Sequence, residues 1–161
     1  MDQRKLLSIG MFALLSLFFM SADLFAQDDV IDKRKSLMKA NSADVKAIGK
    51  AAEEKDFATV ETKAKEIMGA MDKVVDLFPK GSISEQSRAH PDIWEKTDEF
   101  KKDAMKVRQV AEALSKAAAA KNDAEVNVKV KELGNVREGA CGNCHKAFRA
   151  DFRAEKEKKG G

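Results

Sequence analysis

The sequence predicts an all-α chain, an antiparallel four-helix bundle that follows an N-terminal export signal. Two observations carry that fold class. Apolar residues recur at steps of three and four through four long segments, the spacing of one helical face. Strand-like alternation is nearly absent; only Val126, Val128 and Val130 show it, and they lie inside a long helical pattern. Turn and cap residues fall between the segments and set their limits.

The chain opens on the leader. Arg4 and Lys5 precede an apolar stretch from Leu6 to Met20. Ser21-Ala22-Asp23-Leu24-Phe25-Ala26 then offers small residues for cleavage, and Gln27-Asp28-Asp29 follows. This is the pattern of a secretory signal peptide over residues 1–26. An uncleaved anchor needs about 20 apolar residues to span a bilayer, and this stretch is shorter. The remainder, residues 27–161, has the length of one compact domain. Its net charge stays at +3, because the leader removes Arg4 and Lys5 together with Asp2 and Asp23. That balance excludes a nucleic-acid surface.

The first helical segment runs from Asp29 to about Lys50, with Ile31, Met38 and Val45 seven residues apart and Val30, Leu37 and Ile48 beside them. The second runs from Asp56, a plausible N-cap, to Leu77. Phe57, Val60, Ala64, Ile67, Met71, Val74 and Phe78 form its seam, and Pro79 and Gly81 end it. A polar loop leads to Pro91, which suits a first helical position. Ile93, Phe100, Ala104, Val107, Ala111 and Leu114 form the third stripe, which ends near Asn122-Asp123. The fourth segment runs from Ala124 to about Ala154 through Val126, Val130, Leu133, Val136, Ala140, Cys144 and Phe148. Gly134 and Gly139 interrupt it. Either they make room for a flat ring or the helix merely tolerates them, at about 1 kcal/mol each.

Cys141-Gly142-Asn143-Cys144-His145 decides the chemistry. Two thiols two residues apart, followed at once by histidine, read as a c-type haem attachment site. Each thiol forms a thioether with one haem vinyl group, and His145 turns its imidazole to the iron. A zinc site would need a second Cys or His pair, and the chain has no other cysteine. A thioredoxin-like pair would need a βαβ context. The export signal agrees, since c-type haem is attached outside the bacterial cytoplasm. The bundle core is then the place for the haem.

With these residues in view, the chain resembles the class II cytochromes c, the cytochrome c-prime family. Residues 28–155 carry the likeness. Arg34-Lys35-Ser36-Leu37-Met38 looks like the family's first-helix segment, an Arg with the distal residue four positions later. Pro91-Asp92-Ile93-Trp94 with Phe100 resembles the start of its third helix. Cys141 to Arg149 resembles its haem segment. In the gas-binding members the distal position is apolar or aromatic and the iron five-coordinate. In the low-spin branch, the cytochromes c-556 among them, it is Met. Spacing alone would leave Met38 as core filler; the resemblance makes it the sixth ligand. Met68, Met71 and Met105 read as core, and His90 as a loop or cap residue. Arg34 either pairs with a haem propionate or is an exposed first-turn residue.

The resemblance implies one covalent haem c, held by Cys141 and Cys144 and ligated by His145 and Met38, in a periplasmic carrier of single electrons. The alternative is a five-coordinate protein that binds nitric oxide or carbon monoxide. No acid, base or nucleophile set marks an enzyme. Redox proteins of the periplasm are the expected partners. Lys39, Lys146 and Arg149 give a basic rim for docking, and the protein is a monomer or homodimer.

Overall fold

The structure, a computed structural model, describes residues 29–135 and 137–151. The expected leader, residues 1–26, and Val136 of the fourth stripe lie outside them. Six α-helices follow in order: α1 (29–53), α2 (Phe57–Val74), α3 (Asp92–Glu95), α4 (Thr97–Ala119), α5 (Asp123–Gly134) and α6 (Ala140–Phe148). A 3-10 turn, Val75–Leu77, extends α2. Among the described residues no strand forms; one bridge joins Ala89 to Arg149. None of the described helices is long and apolar enough to cross a membrane.

Two helical hairpins use one turn design. α1 and α4 each end on a lysine in the left-handed region, Lys55 at φ 55° and Lys121 at φ 53°. In each, paired backbone bonds close the helix: Asp56 N–H to Ala51 O at 2.8 Å, and Asn122 N–H to Ala117 O at 3.0 Å. The next side chain opens the following helix. Asp56 accepts from Thr59 N–H at 3.1 Å and Asn122 from Glu125 N–H at 3.2 Å. Such short turns force antiparallel neighbours.

The main core gathers the predicted stripes. Ile48, Val60, Ala64, Ile67, Val107, Ala111, Leu114, Val126 and Leu133 are buried together, with Ala140 from α6. A second cluster lies around Ala89, Ile93, Phe100 and Phe148. Val128 is 59% exposed, as one helix requires and a strand would not. Met105 corrects the expectation of a core residue: it is 51% exposed and lines a surface groove with Met71, Asp72 and Arg108. Met68 and Met71 do pack on the core.

The fourth segment is not one helix but two. After Gly134, Asn135 turns extended and its side chain accepts from Arg137 N–H at 2.9 Å and Glu138 N–H at 3.2 Å. An asparagine that serves the backbone in this way competes with helix continuation. Gly139 serves a close backbone approach within this turn, and Gly134 leaves room for the Val45 side chain. A Cβ on Gly139 would stand 2.6 Å from Asn135 O and 2.9 Å from Glu132 O, and one on Gly134 2.9 Å from Val45 Cγ1. Likewise the third segment is split: Thr97 starts α4 after a break at Lys96, whose φ of −118° and ψ of 46° are not helical.

Two variants check this backbone reading by denaturant unfolding. Gly139→Ala should lose about 2 kcal/mol or more, because the obstructing atoms are backbone. Lys121→Gly should gain about 0.5–1 kcal/mol by relieving a left-handed residue.

Candidate haem site

The Cys-x-x-Cys turn lies on α6, near its start. Gly139 opens the helix, and Asn143 N–H reaches back to Gly139 O at 3.0 Å. Cys141 and Cys144 are therefore one helical turn apart on one side. Both are half-buried free thiols. They face different neighbours: Cys141 packs on the main core and Cys144 on the aromatic cluster. His145 follows, also half-buried.

The far end of α6 is pinned by the loop before α3. His90 N–H donates to Phe148 O at 2.9 Å and Ala150 N–H to Arg88 O at 3.0 Å. His90 also fills the role expected of it, accepting from Asp92 N–H at 3.2 Å at the start of α3.

Burial sets the protonation of the donor set. It pushes the Cys141 thiol up to about 11 and the Cys144 thiol up to about 12, the latter helped by the charges of Asp103 and Cys141. It pushes His145 down, with the Arg149 charge acting the same way and Asp151 against it. At neutral pH the imidazole is thus neutral, the form that ligates a metal.

Across the bundle, α1 turns Arg34, Met38, Asn41, Val45 and Ile48 to one face, a run of about 21 Å. Arg34 rests on Phe78, its guanidinium carbon 3.9 Å from the ring centroid. Phe78 packs on the aromatic cluster, as Cys144 does. Val45 and Ile48 belong to the main core, as Cys141 does. Met38 and Asn41 lie between these ends. The α1 residues that flank 38–41 therefore meet the same two clusters as Cys141 and Cys144.

This donor set suits one ligand. Two thiols on one turn, a neutral imidazole beside them and apolar walls fit a haem attached by thioethers. Among the described residues no group of three His, Cys, Asp or Glu side chains could hold a bare metal ion. The sequence profile of the family described as Cytochrome C' matches residues 29–149. The chain belongs to the cytochrome c' family.

Relatives agree. Cytochrome c-554 of Cereibacter sphaeroides is 33% identical over 147 residues, which cover 86% of this chain and 92% of that protein. Cytochrome c' of Pararhodospirillum photometricum is 31% identical over 74% of this chain and 94% of its own. In fold, cytochrome c' from Thermochromatium tepidum superposes with a TM-score of 0.66 at 23% identity, covering 78% of this chain and 98% of that one. The four-helix bundle expected from the sequence is thus the family fold, and covalent haem c is the family's cofactor.

In this cytochrome c' family member Arg34 is not an exposed residue; it is 6% exposed. Nor is a donor left over for a propionate. All five guanidinium N–H groups donate to the loop after α2: Nε to Leu77 O at 3.1 Å, one terminal nitrogen to Ser82 O at 3.2 Å and Ser87 Oγ at 3.1 Å, the other to Leu77 O at 2.8 Å and Ser82 Oγ at 2.8 Å. Burial lowers its pKa to about 10, so it stays charged and the bonds are charge-assisted. The basic rim also shrinks, because Arg149 donates to Asp151 at 2.8 and 2.6 Å.

Sequence reasoning passed over Ser82, Ser87, Asp103 and Asn41, and read Trp94 only as part of the third-helix start. Trp94 Nε1–H is shared between Phe78 O at 3.0 Å and Pro79 O at 2.9 Å, which steadies the same loop. Asn41 did carry a signal, a polar residue on an apolar stripe three positions after Met38.

Arg34→Ala should cost about 3 kcal/mol in denaturant unfolding, since it leaves buried carbonyls unsatisfied. Arg34→Lys should recover only part of that, because an ammonium lacks the fork. Lys33→Ala, which removes an exposed pair with Asp29, should stay within about 0.5 kcal/mol of wild type.

Proposed function

We propose that Cys141 and Cys144 hold the haem c, that His145 and Met38 supply the ligands to its iron, and that the protein carries single electrons in the periplasm. The observation that carries this reading is the position of Met38. It is half-buried one helical turn beyond Arg34, between α1 residues that meet the same clusters as Cys141 and Cys144. A bound haem supplies a one-electron iron couple, and thioether ligation raises its potential relative to His alone.

The protein's residues supply the rest. Burial keeps His145 neutral and therefore available as a ligand. Ile93, Phe100 and Phe148 exclude water beside Cys144. His145 and Met38 would both hold the iron of a bound haem, so that the chain would have little to rearrange on one-electron transfer. No acid–base set is required, and we read no enzyme activity. Lys39 and Lys146 remain exposed near the ligand helices. They suit an acidic redox partner, with association that slows as salt rises.

A second reading has its own support, and the comparisons back it better than the carrier: the family's description and much of the resemblance are to proteins named cytochrome c'. In it Met38 leaves the iron open, and the haem takes up nitric oxide or carbon monoxide.

Denaturing electrophoresis with haem staining should show colour migrating with the chain, and Cys141→Ser or Cys144→Ser should leave at most one thioether. Colour removed by acid-acetone would overturn covalent attachment. The optical spectrum of the purified protein separates the two functions. Low-spin iron that becomes high-spin and binds carbon monoxide in Met38→Ala supports the carrier. A high-spin wild type that binds nitric oxide or carbon monoxide directly replaces it with the second reading.

A further inference from the structure

Among the described residues, Asn41 Oδ1 is the one buried side-chain oxygen or nitrogen with no hydrogen-bond partner. A buried amide atom left unpaired costs about 1–3 kcal/mol, so its presence calls for a cause. Its place in the fold suggests one. Asn41 lies three residues after Met38 on the face of α1 that also carries Arg34, Val45 and Ile48. An α-helix rises 1.5 Å per residue, so Asn41 stands about 4.5 Å along the axis from Met38. Its flanks are occupied: Arg34 is taken up by the loop after α2, and Val45 packs against α5 near Gly134. The amide therefore lies on the stretch of α1 between residues that meet the two clusters, and Cys141 and Cys144 on α6 meet the same two clusters.

We propose that Asn41 is the polar group of the distal haem face, where its amide N–H donates to whatever atom occupies the sixth position of the iron. The two ends of an amide exchange by a half-turn, so the buried position now held by Oδ1 equally presents Nδ2–H. Every sixth ligand considered for this site is an acceptor: the Met38 thioether sulfur, or the outer atom of a diatomic gas. The haem itself offers no N–H or O–H that would satisfy Oδ1 there. The amide would strengthen electron withdrawal from the bound ligand and hold a gas longer, while Leu at this position would pack as well and donate nothing.

The proposal rests on α1 forming the distal side, and not on Met38 being bound. The test is made in haem-loaded Met38→Ala, where the sixth position is open under either function. The spin state of that variant against wild type reports on Met38 alone, so the two claims fail separately. Adding Asn41→Leu should raise the C–O stretching frequency of the reduced carbon monoxide complex. It should speed carbon monoxide release by about fivefold, the loss of one net hydrogen bond. Thermal stability of Asn41→Leu in the reduced Met38→Ala background without carbon monoxide should hold or rise, since no sixth ligand then pairs with the buried amide. An unchanged C–O stretch overturns the proposal. So does a fall in unfolding temperature without a shift in that stretch, which would make Asn41 a structural residue.

Discussion

A row of four side chains sets the spacing of the two helices that matter most. Arg34 of α1 lies on the face of Phe78, 3.9 Å from its centroid. Phe78 meets Phe100 of α4 edge-on at 5.0 Å, and Phe100 meets Phe148 of α6 edge-on at 5.3 Å. Arg34 stands one turn before Met38, and Phe148 stands three residues after His145. The row therefore links α1 to α6 through side chains close in sequence to the two proposed ligands. Each edge-to-face contact is worth about 0.5–1.5 kcal/mol beyond area burial, and a desolvated cation over a ring about 2 kcal/mol. Geometry matters more than the sum: rings and a guanidinium are rigid, so the row resists both compression and shear.

The loop between α2 and α3 acts as the backbone counterpart of that row. Arg34 grips it at Leu77, Ser82 and Ser87, and Trp94 grips it at Phe78 and Pro79. Its last residues bond in turn to Phe148 and Ala150 at the end of α6. One irregular segment thus touches the helix of Met38 and the helix of His145. Gly81, at φ 78°, permits the tight turn this needs. A buried cation whose donors meet carbonyl and hydroxyl oxygens is costly to place. It is tolerated because each N–H has a partner, and it fixes the loop in one register.

The fold was legible because its signal is periodic. Val60, Ala64, Ile67, Phe100, Ala104, Val107, Ala111 and Leu114 were predicted from spacing and are buried. Breaks were less legible, because Gly134, Asn135 and Gly139 each lower helix propensity only modestly. Their joint effect depends on Asn135 capping two N–H groups and on backbone crowding at Gly139. Met105 was misplaced because a stripe has edges, and spacing does not say which edge faces a neighbour. Arg34 was the harder case. Its partners lie 43 to 53 residues away in a loop that has no periodicity to read. The haem motif needed no tertiary information, since its spacing is local.

Splitting the last segment into α5 and α6 has a mechanical result for the site. As one straight helix, the Cys-x-x-Cys turn would inherit its direction from α5, whose Val126 and Leu133 are locked into the main core. The break at Asn135 frees α6 to take its direction from elsewhere, and Phe148 with the Ala89 bridge supplies it. Cys141 can then meet the main core while Cys144 meets the aromatic cluster. Both thiols are brought to the boundary between two apolar bodies, and α1 crosses the same boundary with Met38 and Asn41. A site built on a boundary between rigid clusters can be tuned by a single side chain on either wall. On the proposed reading the nature of the sixth ligand would be decided locally, at one turn of α1, while the rest of the bundle would serve a carrier and a gas-binding protein alike.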